Sequence, residues 1–249
     1  MEKNVAVIIL AAGKGKRMLN PEKSKVMFPL KGKPMLEYVI DLSLKIDAVK
    51  IVPIVGHRKE DVIKFVSEKF VKNINKLEFA HQDSQLGTGH AVMQTESMMR
   101  DFKGLVLILS GDVPLLKYET VKSFIDFHFI GGYDASLLSA IFEDPSGYGR
   151  IVRDEAENFI KIVEDKDADE DQKKIKEINS GIYIIDNEYL FEALKTLKTN
   201  NSQGEYYLTD VFSYFKDKGL KIGAVACKNN LEITGVNTVE QLREMEKTI

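Results

Sequence analysis

The chain has 249 residues, 44% of them hydrophobic and 29% charged, with a formal net charge of −3 and one cysteine, Cys227. That balance suits a globular protein with a sizeable core and argues against nucleic acid or an anionic membrane as a general partner. One cysteine cannot form an internal disulfide, and Met1-Glu2-Lys3-Asn4 leads into an apolar run of only six residues. That run is too short for a signal-peptide core or a membrane span, so a cytoplasmic location is expected.

Val5-Ala6-Val7-Ile8-Ile9-Leu10 is apolar without alternation, the pattern of a strand covered on both faces. A basic glycine loop follows, Ala12-Gly13-Lys14-Gly15-Lys16-Arg17, and residues 14–33 carry seven Lys or Arg against one acid, Glu22. The loop fails the dinucleotide fingerprint, because Met18 stands where a third glycine is needed, and the chain contains no P-loop. Flexible amides beside cations can cradle a phosphate, although a solvated basic turn would look the same. Next come an amphipathic stretch from Pro34 to Lys45, an apolar run Ile51–Val55, and helical spacing at Val62, Ile63, Val66 and Phe70.

Gln85-Leu86-Gly87-Thr88-Gly89-His90-Ala91 is a second glycine loop, open to close approach by a base or sugar, ahead of a predicted helix over His90–Met99. Gln82 upstream offers an amide that can pair with a base edge. Leu105–Leu109 reads as another buried strand, and Ser110-Gly111-Asp112 sits at its carboxyl end, where open α/β sheets bind ligands. A carboxylate there can hold Mg²⁺, a hard cation; an ordinary Asx turn is the plain alternative. Val121, Phe124, Ile125 and His128 share one helix face. Alternating strands and helices predict an α/β fold with a mostly parallel sheet flanked by helices.

Beyond Ala135 the pattern shifts to short strands at Ala135–Phe142, Ile151–Arg153, Phe159–Val163 and Ile182–Ile185, with Asp165–Glu177 as a charged surface excursion. Helices are expected near Glu188–Lys195 and Leu208–Lys218, with a strand at Ile222–Ala226. A last helix starts just past Asn237, where Thr238 and Gln241 have capping-box spacing. The four histidines lack metal-ligand spacing and no nucleophile elbow occurs, so nothing supports a zinc enzyme or a triad hydrolase. Singly, Gly147-Tyr148-Gly149-Arg150, Glu164, Asn179-Ser180-Gly181 and Gly204-Glu205-Tyr206-Tyr207 read as turn chemistry.

Six segments taken in order carry a resemblance: Leu10 to Gly15 with Arg17-Met18, Gln85 to Ala91, Gly147 to Ile151, Glu177 to Gly181, Gln203 to Asp210, and Gly235-Val236-Asn237. From about Val5 to Glu246 the chain resembles the N-terminal uridyltransferase (pyrophosphorylase) domain of the bifunctional N-acetylglucosamine-1-phosphate uridyltransferase/glucosamine-1-phosphate acetyltransferases. The resemblance implies a Rossmann-like nucleotide-diphospho-sugar transferase fold in one domain, 1–249, with a nucleotide-binding part to about 134 and a sugar-binding lobe with closing helices over 135–249. It implies Mg²⁺-dependent transfer of UMP from UTP to N-acetylglucosamine 1-phosphate. The products would be pyrophosphate and UDP-N-acetylglucosamine, a peptidoglycan (cell wall) precursor.

By the same resemblance, Leu10, Ala11, Ala12 and Gly13 line the nucleotide pocket, while Arg17 and Lys25 stabilise charge on the reacting phosphates. Gln82, Gly87 and Thr88 hold uracil and the UDP-sugar; Ser110 and Gly111 adjoin them. Gly149, Glu164 and Asn179 face the amino sugar and ribose, and Asp112 with Asn237 holds Mg²⁺. Lys16, Ser24, Ser110 and Thr238 depart from the family's usual residues; a proline is common where Ser24 stands, and its loss would leave a looser loop. The acetyltransferase β-helix is not represented, so neither an acetyl-CoA site nor β-helix trimerisation is expected. Two rivals stay open: a nucleotidyltransferase using glucose 1-phosphate with UTP or dTTP, and a non-catalytic sugar-nucleotide sensor.

Overall fold

The structure is a computed structural model describing residues 4–18 and 20–249. The reading of Met1–Lys3 and the side-chain charge of Lys16 lie outside the described residues.

The first strand, β1 (Val5–Ala11), is followed by a hairpin of β2 (Pro29–Leu30) and β3 (Lys33–Pro34) and then by α1 (Met35–Lys45). Next come β4 (Lys50–Val55), α2 (Lys59–Lys69), β5 (Ala80–His81), α3 (Thr88–Met93) and α4 (Glu96–Met99). The middle of the chain supplies β6 (Leu105–Ser110), α5 (Tyr118–Gly131), β7 (Ala135–Ile141), β8 (Arg150–Arg153), β9 (Phe159–Val163) and β10 (Glu177–Asp186). The remainder is α6 (Asn187–Lys195), α7 (Val211–Asp217), β11 (Ile222–Ala226), α8 (Asn230–Ile233) and α9 (Val239–Thr248).

One sheet takes the order β11-β7-β10-β6-β1-β4-β5, with β8 and β9 attached beside β10. Along that seven-strand path all neighbours are parallel except β10, which runs antiparallel to both β6 and β7; the attached β8 pairs antiparallel with both β10 and β9. The unbroken apolar run of β1 has a direct cause: Val7, Ile9 and Ala11 pack into one core layer with α1, α2 and α5, while Ala6 and Ile8 enter a second with α3, α6 and α7. A strand buried on both faces has no use for alternation.

A third, smaller cluster joins Met18, Leu30 and Met35 to Val236, Leu242 and Met245. Met18 is 1% exposed, and burying such a side chain stabilises by about 1.5–3 kcal/mol. This cluster brings the end of the basic loop and the start of α9 together. The predicted capping box is present: Thr238 accepts from the Gln241 amide, and the Gln241 side chain accepts from Thr238.

Three expectations need correction. The helix over His90–Met99 is two short helices, α3 and α4, broken at Gln94-Thr95. There the buried Thr95 hydroxyl donates to Val92 O (2.8 Å) and Gln94 turns its amide back to His90 O (2.9 Å); such side-chain bonds compete with the helical ladder. The strand expected at Ile182–Ile185 starts at Glu177, so Asn179-Ser180-Gly181 is not a free turn. It forms a bulge in the pairing with β7, where Gly181 takes φ +76°. The helix expected at Leu208–Lys218 opens with a 3₁₀ turn, Leu208–Asp210, before α7.

Candidate active site

The carboxyl ends of β1, β4, β5 and β6 converge on one edge of the sheet, with Leu10 paired to Ser110 and Ile54 paired to Ala80. Because β10 runs the other way, its beginning, with Asn179, reaches the same edge. A cavity of about 290 Å³ there is lined by Leu10, Ala11, Ala12, Gly13, Lys25, Gln82, Gly87, Thr88, Ser110 and Asp112. Ten of the predicted site residues thus share one wall. Gly111, also predicted, sits behind them: a Cβ on it would come within 3.0 Å of Val26 and 3.1 Å of Leu10 O.

At the rim the charged residues meet. The Lys25 ammonium donates to Asp112 Oδ2, and to Asn237 Oδ1 at 2.8 Å. Arg17 Nη2 donates to that same Asn237 oxygen at 3.0 Å. The Lys25 and Asp112 side chains are 14% and 22% exposed, dry enough to strengthen the pair yet open to a ligand. Lys25 is pressed into place from behind, since a Cβ on Gly15 would fall 2.7 Å from Lys25 Cβ. Only a residue without Cβ fits there, at φ +57°. The Val236 amide bonds to Asp112 O (2.9 Å), so the Asp112 turn and the Asn237 segment are joined through backbone as well.

A second cavity of about 490 Å³ is lined by Arg17, Gly147, Glu164, Asp165, Lys166 and Gln203. Arg17 lines this cavity and Lys25 lines the first, and both bond Asn237 Oδ1, so the two walls are linked through that residue. Gly149, Glu164 and Asn179 are brought together beside it: a Cβ on Gly149 would lie 3.5 Å from both Glu164 Oε2 and Asn179 Cβ. Burial, together with Asp210, Asp167 and Asp165, pushes the Glu164 carboxyl above its ordinary value, opposed by a hydrogen bond from Thr209 Oγ1 (3.1 Å). The Asn179 amide donates to Tyr183 Oη (2.7 Å) and accepts from the Gly181 amide (3.2 Å). A larger groove of about 730 Å³, lined by Glu96, Phe102 and Asn187 among others, lies away from all of these residues, at the start of α6.

The glycines of the second loop are explained differently from the sequence expectation. Gly89 does not line the cavity: its amide donates to Tyr206 O (2.8 Å), and a Cβ on it would meet that oxygen at 3.0 Å. Gly87 takes φ +111° and would place a Cβ 2.5 Å from the same oxygen. Close approach by the chain itself, more than by a ligand, requires glycine here. Gln82 is buried and its amide is turned inward to Gly87 O (3.0 Å) and His90 Nδ1 (3.2 Å).

Sequence reasoning missed several residues. Glu205 places a carboxylate-bearing side chain on the wall of the first cavity. Arg150, 2% exposed, bonds Tyr148 O and Asp165 Oδ1 (2.9 Å) under the second cavity. Burial, with Asp112 near, pushes the Tyr148 phenol up, against a hydrogen bond with the Gly235 backbone. All three lie inside segments whose spacing had been noticed, but no residue-level rule separated them from turn residues. Ser24, where a looser loop is expected, is 1% exposed at φ −61°, its hydroxyl without a partner.

Among the described residues no three His, Cys, Asp or Glu side chains group as a metal site. The donor set at the rim is instead one carboxylate and one amide oxygen converging on a single cationic atom, Lys25 Nζ. Two hard oxygen ligands supplemented by phosphate oxygens and water suit Mg²⁺, which seldom takes an all-protein cage. No helix among the described residues is long and apolar enough to cross a membrane.

The chain is 46% identical over 243 residues to the bifunctional protein GlmU of Thermoanaerobacter pseudethanolicus, an alignment covering 98% of this chain and 51% of that protein. It is 44% identical to GlmU of Caldanaerobacter subterraneus subsp. tengcongensis, covering 100% of this chain and 52% of the relative. The chain therefore spans about half the length of the curated relatives it matches. The solved structure of a UDP-glucose pyrophosphorylase complexed with UDP-glucose superimposes with a TM-score of 0.78 at 20% identity, covering 100% of this chain and 98% of that one. The family model described as nucleotidyl transferase matches residues 6–230, and the chain belongs to that family.

Proposed function

We propose that this chain transfers UMP from UTP to N-acetylglucosamine 1-phosphate, releasing pyrophosphate, as one nucleotidyltransferase domain with its nucleotide-binding part over about 1–134 and its sugar-binding lobe over 135–249. The observation that carries the reading is the meeting of Lys25, Arg17, Asp112 and Asn237, a hydrogen-bonded cluster that links the walls of the two cavities. A reaction joining two polyanions needs cations and oxygen ligands at the seam between their pockets.

In this scheme a phosphate oxygen of the sugar 1-phosphate attacks the α-phosphorus of UTP. A new P–O bond forms, the bond to the β-phosphate bridging oxygen breaks, and pyrophosphate departs. No protein nucleophile is required, in keeping with the lack of one in the sequence. The protein aligns the two substrates and stabilises charge moving toward the leaving group. Arg17 and Lys25 supply two positive charges at the seam, and the loop Leu10–Gly13 offers backbone to the nucleotide. Asp112 and Asn237 would hold Mg²⁺, which would supply positive charge to offset that of the reacting phosphates. Glu164, Gly149 and Asn179 would receive the amino sugar, with Gln82, Gly87 and Thr88 at the uracil end.

The relatives' shared name, at 44–46% identity, supports the acceptor assignment over glucose 1-phosphate. The test is pyrophosphate release from UTP and Mg²⁺ with N-acetylglucosamine 1-phosphate, glucosamine 1-phosphate or glucose 1-phosphate. Release with the N-acetylated sugar at least about tenfold above the others is expected, as a pocket contact confers roughly 1–3 kcal/mol of discrimination. Preference for glucose 1-phosphate would overturn the acceptor, and no release with any sugar would overturn the enzyme reading.

A further inference from the structure

The atom that joins Asp112 to Asn237 is itself a cation. Lys25 Nζ donates to Asp112 Oδ2 and to Asn237 Oδ1, and Arg17 Nη2 adds a second positive donor to that Asn237 oxygen. These are the same two side chains proposed above as metal ligands. An ammonium and a divalent cation cannot share them, because like charges at contact distance repel strongly in a site this dry. One of the two must be elsewhere.

We infer that in the nucleotide-free protein Lys25 occupies the cation position. It holds the two ligands in register and keeps a divalent ion out until phosphate draws the ammonium away. The inference rests on the metal reading of Asp112 and Asn237. Three features support it. First, the metal's share of protein ligands is small: among the described residues no further His, Cys, Asp or Glu completes a group of three. A bare divalent ion would have to break charge-assisted bonds to reach two oxygens. Second, displacement without phosphate leaves Lys25, 14% exposed, with neither carboxylate nor amide partner, a costly state for a mostly buried charge. Third, the root of Lys25 is fixed by its close packing on Gly15, so only the tip of the side chain swings, and it swings within a cavity whose wall it already forms.

Phosphate reverses the balance. It takes both Lys25 and Arg17, each a natural phosphate partner, and frees both oxygens together. Nucleotide and metal then bind with positive coupling, and by linkage each tightens the other. Metal-first binding is suppressed by residues that are later used in the reaction.

The test is direct titration with Mn²⁺ alone, without nucleotide, following free Mn²⁺ by electron paramagnetic resonance. Lys25→Met should bind Mn²⁺ about tenfold tighter than the wild type, the change expected when a charge-assisted hydrogen bond to a carboxylate need not be broken. Arg17→Met should tighten binding about two- to threefold, as one exposed contact is removed. Because Arg17 is exposed, this variant carries the test even where Lys25→Met folds poorly. Lys14→Met removes an equal charge from the same exposed loop and should leave binding within about twofold of wild type. Equal tightening in Lys14→Met, or none in either Lys25→Met or Arg17→Met, overturns the inference while leaving the metal site standing. Adding Asp112→Ala to Lys25→Met should abolish the gained binding. If it does not, the metal reading fails, and the inference with it.

Discussion

The two cavities linked through Asn237 are built on opposite terms. In the first, which we propose takes the nucleotide, the charged groups are cations and oxygens whose present partners are one another: Lys25 with Asp112 and Asn237, Arg17 with Asn237. In the second, proposed for the sugar, the polar groups are tied into the frame. Asn179 is bonded to Tyr183 and Gly181, Glu164 to Thr209, and Arg150 to Asp165. The first arrangement is exchangeable, and a phosphate can replace each partner by a better one. The second is fixed, offering the ligand whatever hydrogen-bonding capacity the frame leaves over. Exchangeable groups suit charge in motion; fixed ones suit discrimination between similar sugars.

Mutation on each side should separate those roles. The largest effect belongs to Asp112→Ala, which should lower turnover at least about 100-fold at limiting Mg²⁺, as losing a metal ligand costs no less than losing its supporting shell. Steady-state kinetics against metal concentration check this, and unchanged turnover would break the comparison on its nucleotide side.

Asn179→Ala should act on the other half, lowering kcat/KM for the sugar phosphate about tenfold with little change for UTP. It also strips the Tyr183 hydroxyl, in a 2% exposed residue, of its partner, at a stability cost of about 1–3 kcal/mol. Denaturant unfolding beside two-substrate kinetics reads both. A loss falling equally on the two substrates would show that Asn179 does not belong to the sugar side.

Glu164→Gln sharpens the contrast through pH. Burial and neighbouring aspartates raise the Glu164 pKa in the folded state, so the ionised carboxylate is disfavoured by folding. Its penalty is present above the folded pKa and disappears as pH falls below the unfolded value, where both states are protonated. The variant should therefore melt higher than wild type at pH 8, and the gap should close toward pH 4. A gap independent of pH would assign the effect to packing.

The smallest expected change is Ser24→Pro. The residue already sits at φ −61° with a buried hydroxyl lacking a partner, so proline should stabilise by about 0.5–1 kcal/mol. A lower melting temperature would show that the Ser24 amide or hydroxyl has a role its geometry does not reveal.

The legibility of the two halves in sequence follows the same division. Unbroken apolar strands such as Val5–Leu10 and Leu105–Leu109 announce a doubly covered sheet, and the residues after them lie where such sheets bind ligands. Asp112 and the glycine loop after Leu10 are accordingly within reach, whereas Lys25 follows only from the resemblance. Asn237 follows from resemblance alone, because what brings it to Arg17, 220 residues away in sequence, is the packing of Met18 against Val236, Leu242 and Met245. In the second half the signal is weaker for a physical reason. Asn179-Ser180-Gly181 has turn composition, yet pairing on both sides draws it into β10 as a bulge. Tertiary pairing overrides local preference there. Glu205, Tyr148 and Arg150 acquire their positions from chain segments crossing far from home, which no local spacing encodes.

The close seating of Gly87 and Gly89 beneath Tyr206 bears on how the protein can move. Gly89 N to Tyr206 O, Tyr206 N to Leu86 O and Leu208 N to Thr88 Oγ1 bind the loop before α3 to the segment before α7 at three points, between 2.8 and 3.1 Å. Parting them would forfeit about 0.5–1.5 kcal/mol for each bond, and no glycine hinge lies free between them, since both glycines are already committed to the seam. The Gly87–Thr88 side of the first cavity, where we propose uracil binds, is thus a stationary jaw. Adjustment to substrate is left to side-chain tips and the basic loop opposite, and the protein works more like a vice with one fixed plate than like a pair of closing hands.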